Sequence, residues 1–185
     1  MKQVITIPPE ANIQTPTPRL LDADSVGPLS KGNGALHHMG FVVPSILAVA
    51  EQFSMFLSAR WDGQIKHDPL QQVHVSFFTP VDPRNPVFEL VEPASETSPV
   101  NYFLKKHRGG LHHVCYEIDD LESGLKEAKK ADLVVASLPM PAVAFGGRKI
   151  AWVCSKKLLL MELLERPRSE IRVRRDVMSY AHTHP

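Results

Sequence analysis

The sequence predicts an α+β fold made of one βαβββ unit used twice, and two repeated motifs carry that prediction. Leu36-His37-His38-Met39 returns as Leu111-His112-His113-Val114, its second histidine 75 residues on. Val87-Phe88-Glu89-Leu90-Val91 returns as Leu160-Met161-Glu162-Leu163-Leu164, its glutamate 73 residues on. The internal spacing agrees too: His38 to Glu89 is 51 residues and His113 to Glu162 is 49. Two pairs in the same order and register point to an internal duplication.

The elements between the motifs match. A short strand follows each Leu-His-His, Met39–Val43 and Val114–Ile118. A helix follows each strand. In the first, Ile46, Val49, Ala50, Phe53, Phe56 and Leu57 recur at helical spacing, with Pro44 near the first turn. In the second, Asp119 or Asp120 caps a face of Leu121, Leu125 and Ala128. Three strand-like runs then follow in each half: Gly63–His67, Val73–Thr79 and Val87–Val91, then Leu133–Ser137, Lys149–Cys154 and Leu158–Leu164. A helix over Pro99–Lys106 joins the units, which run from about 36 to 95 and from about 108 to 167.

Tails flank this 36–167 core. Residues 1–35 hold five of the 16 prolines and lack an apolar period, so they read as a proline-rich arm; Val4, Ile5 and Ile7 alternate as an edge strand would. Residues 168–185 form an Arg-rich tail, and the basic run that opens at Arg166 reads as solvated. Hydrophobic residues make up 43%, charged residues 22%, and the net charge is +1. Such a chain has no global pull toward nucleic acid or an anionic membrane. No apolar run nears the ~18 residues of a membrane span, and no signal-peptide core precedes Pro8, so a cytoplasmic protein is expected. Cys115 and Cys154 suit a reducing compartment and read as small core residues. Trp61 and Trp152 read as core, with a pocket wall as the alternative.

Alternate side chains of a strand share one face. His38 and Glu89, on the first and last strands of one unit, can therefore meet, and so can His113 and Glu162. If the two sheets pair, two imidazoles and two carboxylates converge. That donor set suits one divalent Co, Zn, Ni, Mn or Fe ion and leaves coordination positions for a substrate carbonyl. Taken singly, each of these four residues would read as a hydrogen-bonded polar group in a strand. Their common register is what suggests a metal.

The residues resemble a known family. His37-His38-Met39-Gly40, Phe88-Glu89-Leu90-Val91-Glu92-Pro93, Gly109-Gly110-Leu111-His112-His113-Val114 with Asp119-Asp120, and Gly146-Gly147-Arg148-Lys149-Ile150 carry the likeness. It is to the vicinal oxygen chelate (glyoxalase/bleomycin resistance/dioxygenase) superfamily, and within it to methylmalonyl-CoA epimerases. The resemblance implies a cupped, eight-stranded mixed sheet around one metal, with His38, Glu89, His113 and Glu162 as ligands. It implies a metal-dependent epimerase that abstracts a proton next to the carbonyl of an acyl thioester. Glu162 and Glu89 are then the catalytic carboxylates on opposite faces of the substrate.

Partners implied are a small acyl thioester on CoA or a carrier protein, and a second copy of the chain in a homodimer. Arg148, Lys149, Lys156 and Lys157 are candidate phosphate contacts. The chain departs from the family in two places. Gln71–Phe78 has no Asp or Glu where some members place a catalytic carboxylate, so His74 is a candidate substitute. The segment Val153–Leu158 is also shorter and lacks the family's His-Pro-Lys. A glyoxalase-type lyase, an extradiol-type dioxygenase and a non-catalytic small-molecule-binding protein stay open as alternatives.

Overall fold

The computed structural model describes residues 34–155 and 160–170. The Val4–Ile7 pairing, Lys156 and Lys157, and the tail beyond residue 170 lie outside the described residues. The first unit comprises β1 (Gly34–Val42), α1 (Ile46–Leu57), β2 (Ala59–Trp61), β3 (Lys66–Asp68), β4 (Val73–Pro80) and β5 (Val87–Pro93). Helix α2 (Val100–His107) links it to the second unit. That unit comprises β6 (Gly110–Ile118), α3 (Leu121–Lys130), β7 (Val134–Val135), β8 (Met140–Pro141), β9 (Lys149–Cys154) and β10 (Leu160–Glu165), with a 3-10 turn at Val143–Phe145.

The strands form one mixed sheet in the order β2-β4-β5-β1-β6-β10-β9-β7, with β3 also on β4 and β8 also on β9. Among the described residues the sheet has ten strands rather than the expected eight, and it is not closed. Each unit adds one short strand outside the run expected of it: β2 precedes Gly63–His67 in the first, and β8 follows Leu133–Ser137 in the second. In the first, Asp62 accepts a hydrogen bond from the Gln64 amide and Gly63 takes a left-handed φ of 77°, which turns the chain between β2 and β3. The first and last strands of each unit pair in parallel, β1 with β5 and β6 with β10. The units join where β1 pairs antiparallel with β6, within one chain.

Helices α1 and α3 cover one face of this sheet, and α2 packs Val100, Phe103 and Leu104 on the other, against Val73, Val75 and Val91. Against α1 pack Ala59, Phe78 and Leu90; against α3 pack Ala151, Val153, Met161 and Leu163. The opposite face carries Val75, Val91, Cys115, Ile150 and Leu164. Both faces of the central strands are covered, which is why β5 and β10 read as nearly unbroken apolar runs. On α1, Ile46 and Ala50 are buried and Val49, Phe53 and Leu57 pack beside them, but Phe56 is 85% exposed. It lies at the margin of the apolar stripe, beyond the reach of the sheet. Asp120, not Asp119, caps α3, accepting from the amides of Glu122 and Ser123. Among the described residues no helix is long and apolar enough to cross a membrane.

Asp119 has another partner. Arg166, expected at the opening of a solvated basic run, is 1% exposed and pairs with Asp119 and Glu117. Its backbone amide also donates to the Ile118 carbonyl, so the chain leaving β10 is held against the end of β6. Removing one member of a buried ion pair strands its partners. Arg166→Ala is therefore expected to destabilise the protein by ~3 kcal/mol, read as a lower urea midpoint.

Candidate metal centre

The β1–β6 register builds the site. Gly40 lies opposite both Glu89 on β5 and His113 on β6. His38 lies opposite Cys115, which itself lies opposite Glu162 on β10. Cross-strand partners share a face, so all four candidate donors project from the side away from α1 and α3. Nε2 of His38 lies 3.2 Å from Nε2 of His113, 3.3 Å from Glu89 Oε2 and 3.2 Å from Glu162 Oε2. Nε2 of His113 lies 3.3 Å from Glu89 Oε2 and 3.7 Å from Glu162 Oε2. All four residues are buried.

Donor atoms that share a small divalent ion at about 2.0–2.2 Å lie about 3–3.5 Å from one another. Four of the five separations are of that size, and His38, His113 and Glu162 each place a donor atom within 4.8 Å of the others. Glu162 Oε2 is buried and makes no hydrogen bond, despite its closeness to the imidazole. An unsatisfied buried carboxylate oxygen is costly unless a cation meets it. The donor set and the orphaned oxygen both fit a divalent ion.

Gly40 makes room for the cluster. A Cβ at this position would stand 2.0 Å from Cε1 of His113, so the ring occupies the space that any side chain would take. Each donor histidine is also held from behind. His37 Nδ1 is 2.9 Å from His38 Nδ1, and His112 Nδ1 is 3.1 Å from His113 Nδ1. Phe145 stacks on His38, and Trp152 meets His113 edge-on.

Burial opposes charge on His38, but Glu89 and Glu162 outweigh it and raise its pKa to about 9. Burial opposes charge on Glu89 as well, but His38 and His113 hold its carboxyl down at about 2. Burial and the neighbouring His113 lower His112 to about 4. Burial and Glu162 push the Cys115 thiol up, as befits a core residue.

A cavity of about 490 Å³ opens beside the donors. Glu89, His113 and Glu162 line it, with Val75, Val91, Met140, Phe145, Trp152 and Leu160 among its apolar walls. Trp152 therefore belongs to the pocket. Trp61 belongs to the core on the opposite face, stacked on Phe78 and donating to Ser76 Oγ. His74 faces away from the cavity: it alternates with Val73 and Val75, which line it, and lies against His67 instead. Arg148 is engaged by Glu117 at 2.5 Å and lies over the Phe145 ring. Lys149 is exposed at the start of β9, and neither it nor Arg148 lines the cavity.

The sequence reading missed Gly40, Phe145 and the histidine behind each donor. The doubled His-His dipeptide was the visible signal for the last of these.

Residues 37–152 match the family model described as the glyoxalase/bleomycin resistance protein/dioxygenase superfamily. The chain belongs to this superfamily. It is 32% identical over 124 residues to the ethylmalonyl-CoA/methylmalonyl-CoA epimerase of Cereibacter sphaeroides, an alignment covering 66% of this chain and 90% of that protein. It is 30% identical over 139 residues to the mitochondrial methylmalonyl-CoA epimerase of Dictyostelium discoideum, covering 73% and 80%. The crystal structure of methylmalonyl-CoA epimerase from Mycobacterium tuberculosis has the same fold, with a TM-score of 0.61 and 19% identity over 74% of this chain and 91% of that one.

The shifted groups predict a pH dependence for the metal-free superfamily domain. His38 titrates at about 9 folded against 6.5 ordinarily, so its stabilisation is complete below 6.5 and is lost as pH rises through 9. Glu89 titrates at about 2 against 4.5, so its stabilisation is present above 4.5 and lost as pH falls through 2. Urea midpoints in chelator are expected to fall between pH 6.5 and 9, and His38→Gln to flatten that limb.

Proposed function

We propose that this protein is a metal-dependent epimerase that inverts the carbon next to the carbonyl of an acyl thioester, carried on CoA or a phosphopantetheinyl protein. The observation that supports this most is the buried cluster of His38, Glu89, His113 and Glu162, with its orphaned Glu162 oxygen, opening onto an apolar cavity. Its similarity to acyl-CoA epimerases supports the choice of reaction.

His38, His113, Glu89 and Glu162 would hold the ion. When bound, a divalent ion supplies positive charge that stabilises negative charge developing on the substrate carbonyl oxygen. The chain's own residues must move the proton. Three acidic residues line the cavity: Asp68, Glu89 and Glu162. Asp68 is occupied, because its two oxygens accept from the amides of Leu70, Gln71 and Val143 and from the Gln71 side chain. Glu89 and Glu162 remain.

They stand on the last strands of the two units, across the β1–β6 pair from each other. In this reading a carboxylate oxygen of one takes the proton from the substrate carbon, and the C–H electron pair moves toward the carbonyl. The other would have to enter the step as a carboxylic acid and give that proton to the opposite side of the carbon, so that the centre inverts and the two carboxyl groups exchange protonation states. The apolar walls exclude water and strengthen every charge interaction inside. A glyoxalase-type lyase is the second reading, because a set of two histidines and two glutamates serves it equally.

Near one divalent ion per chain is expected by elemental mass spectrometry on untagged protein, and its loss in His113→Ala and Glu162→Ala. Solvent deuterium is expected to enter methylmalonyl-CoA next to its thioester carbonyl, and Glu162→Gln to slow that exchange by about 10²–10⁴-fold. Exchange absent from acyl thioesters, with turnover of a glutathione thiohemiacetal instead, would establish the lyase. Gly40→Ala is expected to displace the His113 ring and weaken Co²⁺ binding by at least about tenfold, with the fold retained in circular dichroism.

A further inference from the structure

The strands β1 and β6 each carry one extra residue, and in both cases it is a histidine. Along β1, Leu36 pairs with Tyr116 and His38 with Cys115, so His37 has no partner of its own. Along β6, His113 pairs with Gly40 and Leu111 with Phe41, so His112 has none. These are β-bulges at equivalent points of the two units. Neighbouring residues of a regular strand point to opposite faces. A bulge breaks that alternation and re-aims a side chain. It is what lets His37 and His112 stand on the same side as the histidines that follow them, with Nδ1 atoms 2.9 and 3.1 Å apart.

An Nδ1···Nδ1 contact at that distance holds one hydrogen. A neutral histidine that offers Nε2 to a cation carries its hydrogen on Nδ1. The hydrogen in each contact then belongs to the donor histidine, and the bulge histidine accepts it. We propose that His37 and His112 are positioning residues that accept the Nδ1–H of His38 and His113 from paired β-bulges, fixing the tautomer and ring orientation that turn both Nε2 lone pairs toward one ion. The inference rests on the metal reading above and adds residues that do not touch the ion. Loss of such a partner behind a ligand histidine typically weakens metal binding by about 10–100-fold.

The surroundings hold the bulge rings in place. His37 meets Phe145 edge-on at 5.5 Å, and His112 meets Phe103 edge-on at 4.9 Å. Phenylalanine at either position keeps the ring and removes the acceptor. Asparagine keeps an acceptor, because its Oδ1 is bonded to Cγ as Nδ1 is in histidine.

The test is Co²⁺ titration of the full chain, followed by visible absorption, for wild type, His37→Phe, His37→Asn, His112→Phe and His112→Asn. Binding about 10–100-fold weaker in both Phe variants, with most of it recovered in the Asn variants, is expected. Wild-type protein that takes up no Co²⁺ would overturn the metal reading itself. Tight wild-type binding that both Phe variants retain, or that the Asn variants lose equally, would overturn the positioning role alone. So would a second ion lost in His37→Phe, which would make His37 a ligand, with Cys115 and His38 the neighbours able to share it. Imidazole ¹⁵N spectra of Zn²⁺-loaded wild type give a check that needs no variant. They are expected to show Nδ1–H on His38 and His113, and a hydrogen on Nε2 of either would overturn the proposal.

Discussion

The antiparallel pairing of β1 with β6 is the constraint on which the rest of the structure depends. It is the seam between two equivalent units and the line along which four buried polar groups meet. Burying two carboxylates and two imidazoles in an apolar sheet is unfavourable unless each group finds an opposite charge or a donor. Here they lie within 3.2–3.7 Å of one another, while Glu162 Oε2 makes no hydrogen bond. A slip of one residue in this pairing would send His38 and His113 to the helix side and destroy the cluster.

The duplication explains why the site has this form. Each unit contributes one histidine from its first strand and one glutamate from its last, and those two strands are parallel neighbours within the unit. Neither unit alone has more than two donors. The antiparallel seam supplies the missing half, and all four donors come from one chain. Small residues finish the fit: Gly40 stands where any side chain would collide with the His113 ring, and Cys115, a small thiol, lies opposite His38.

Stability and chemistry pull in different directions at this seam. The same closeness that raises His38 and lowers Glu89 makes the metal-free cluster a set of mutual ion pairs. Arg166 and Arg148 both converge on Glu117 and fasten the end of β6. Two arginines from separate basic stretches, Gly146–Lys149 and the run that opens at Arg166, thus meet on one carboxylate.

Much of the site was legible in the sequence because a duplication writes its pattern twice. The repeated His-His and apolar-Glu-apolar motifs identified the two units and the four residues that meet. A cap at Asp119 or Asp120 and the linker helix followed from local chemistry in the same way, and the structure chose Asp120. What depends on where one strand lies against another was not legible. Whether Arg166 is solvated, whether His74 faces the cavity, and whether short segments such as Ala59–Trp61 and Met140–Pro141 join the sheet are decided by neighbours elsewhere in the chain. The bulges belong to this class, since an extra residue exists only relative to a partner strand. The sequence by itself determined which donors the protein has, because residue type and period are local properties. Only the tertiary structure decided how they are aimed, because register, face and bulge are set by pairing between segments some 75 residues apart.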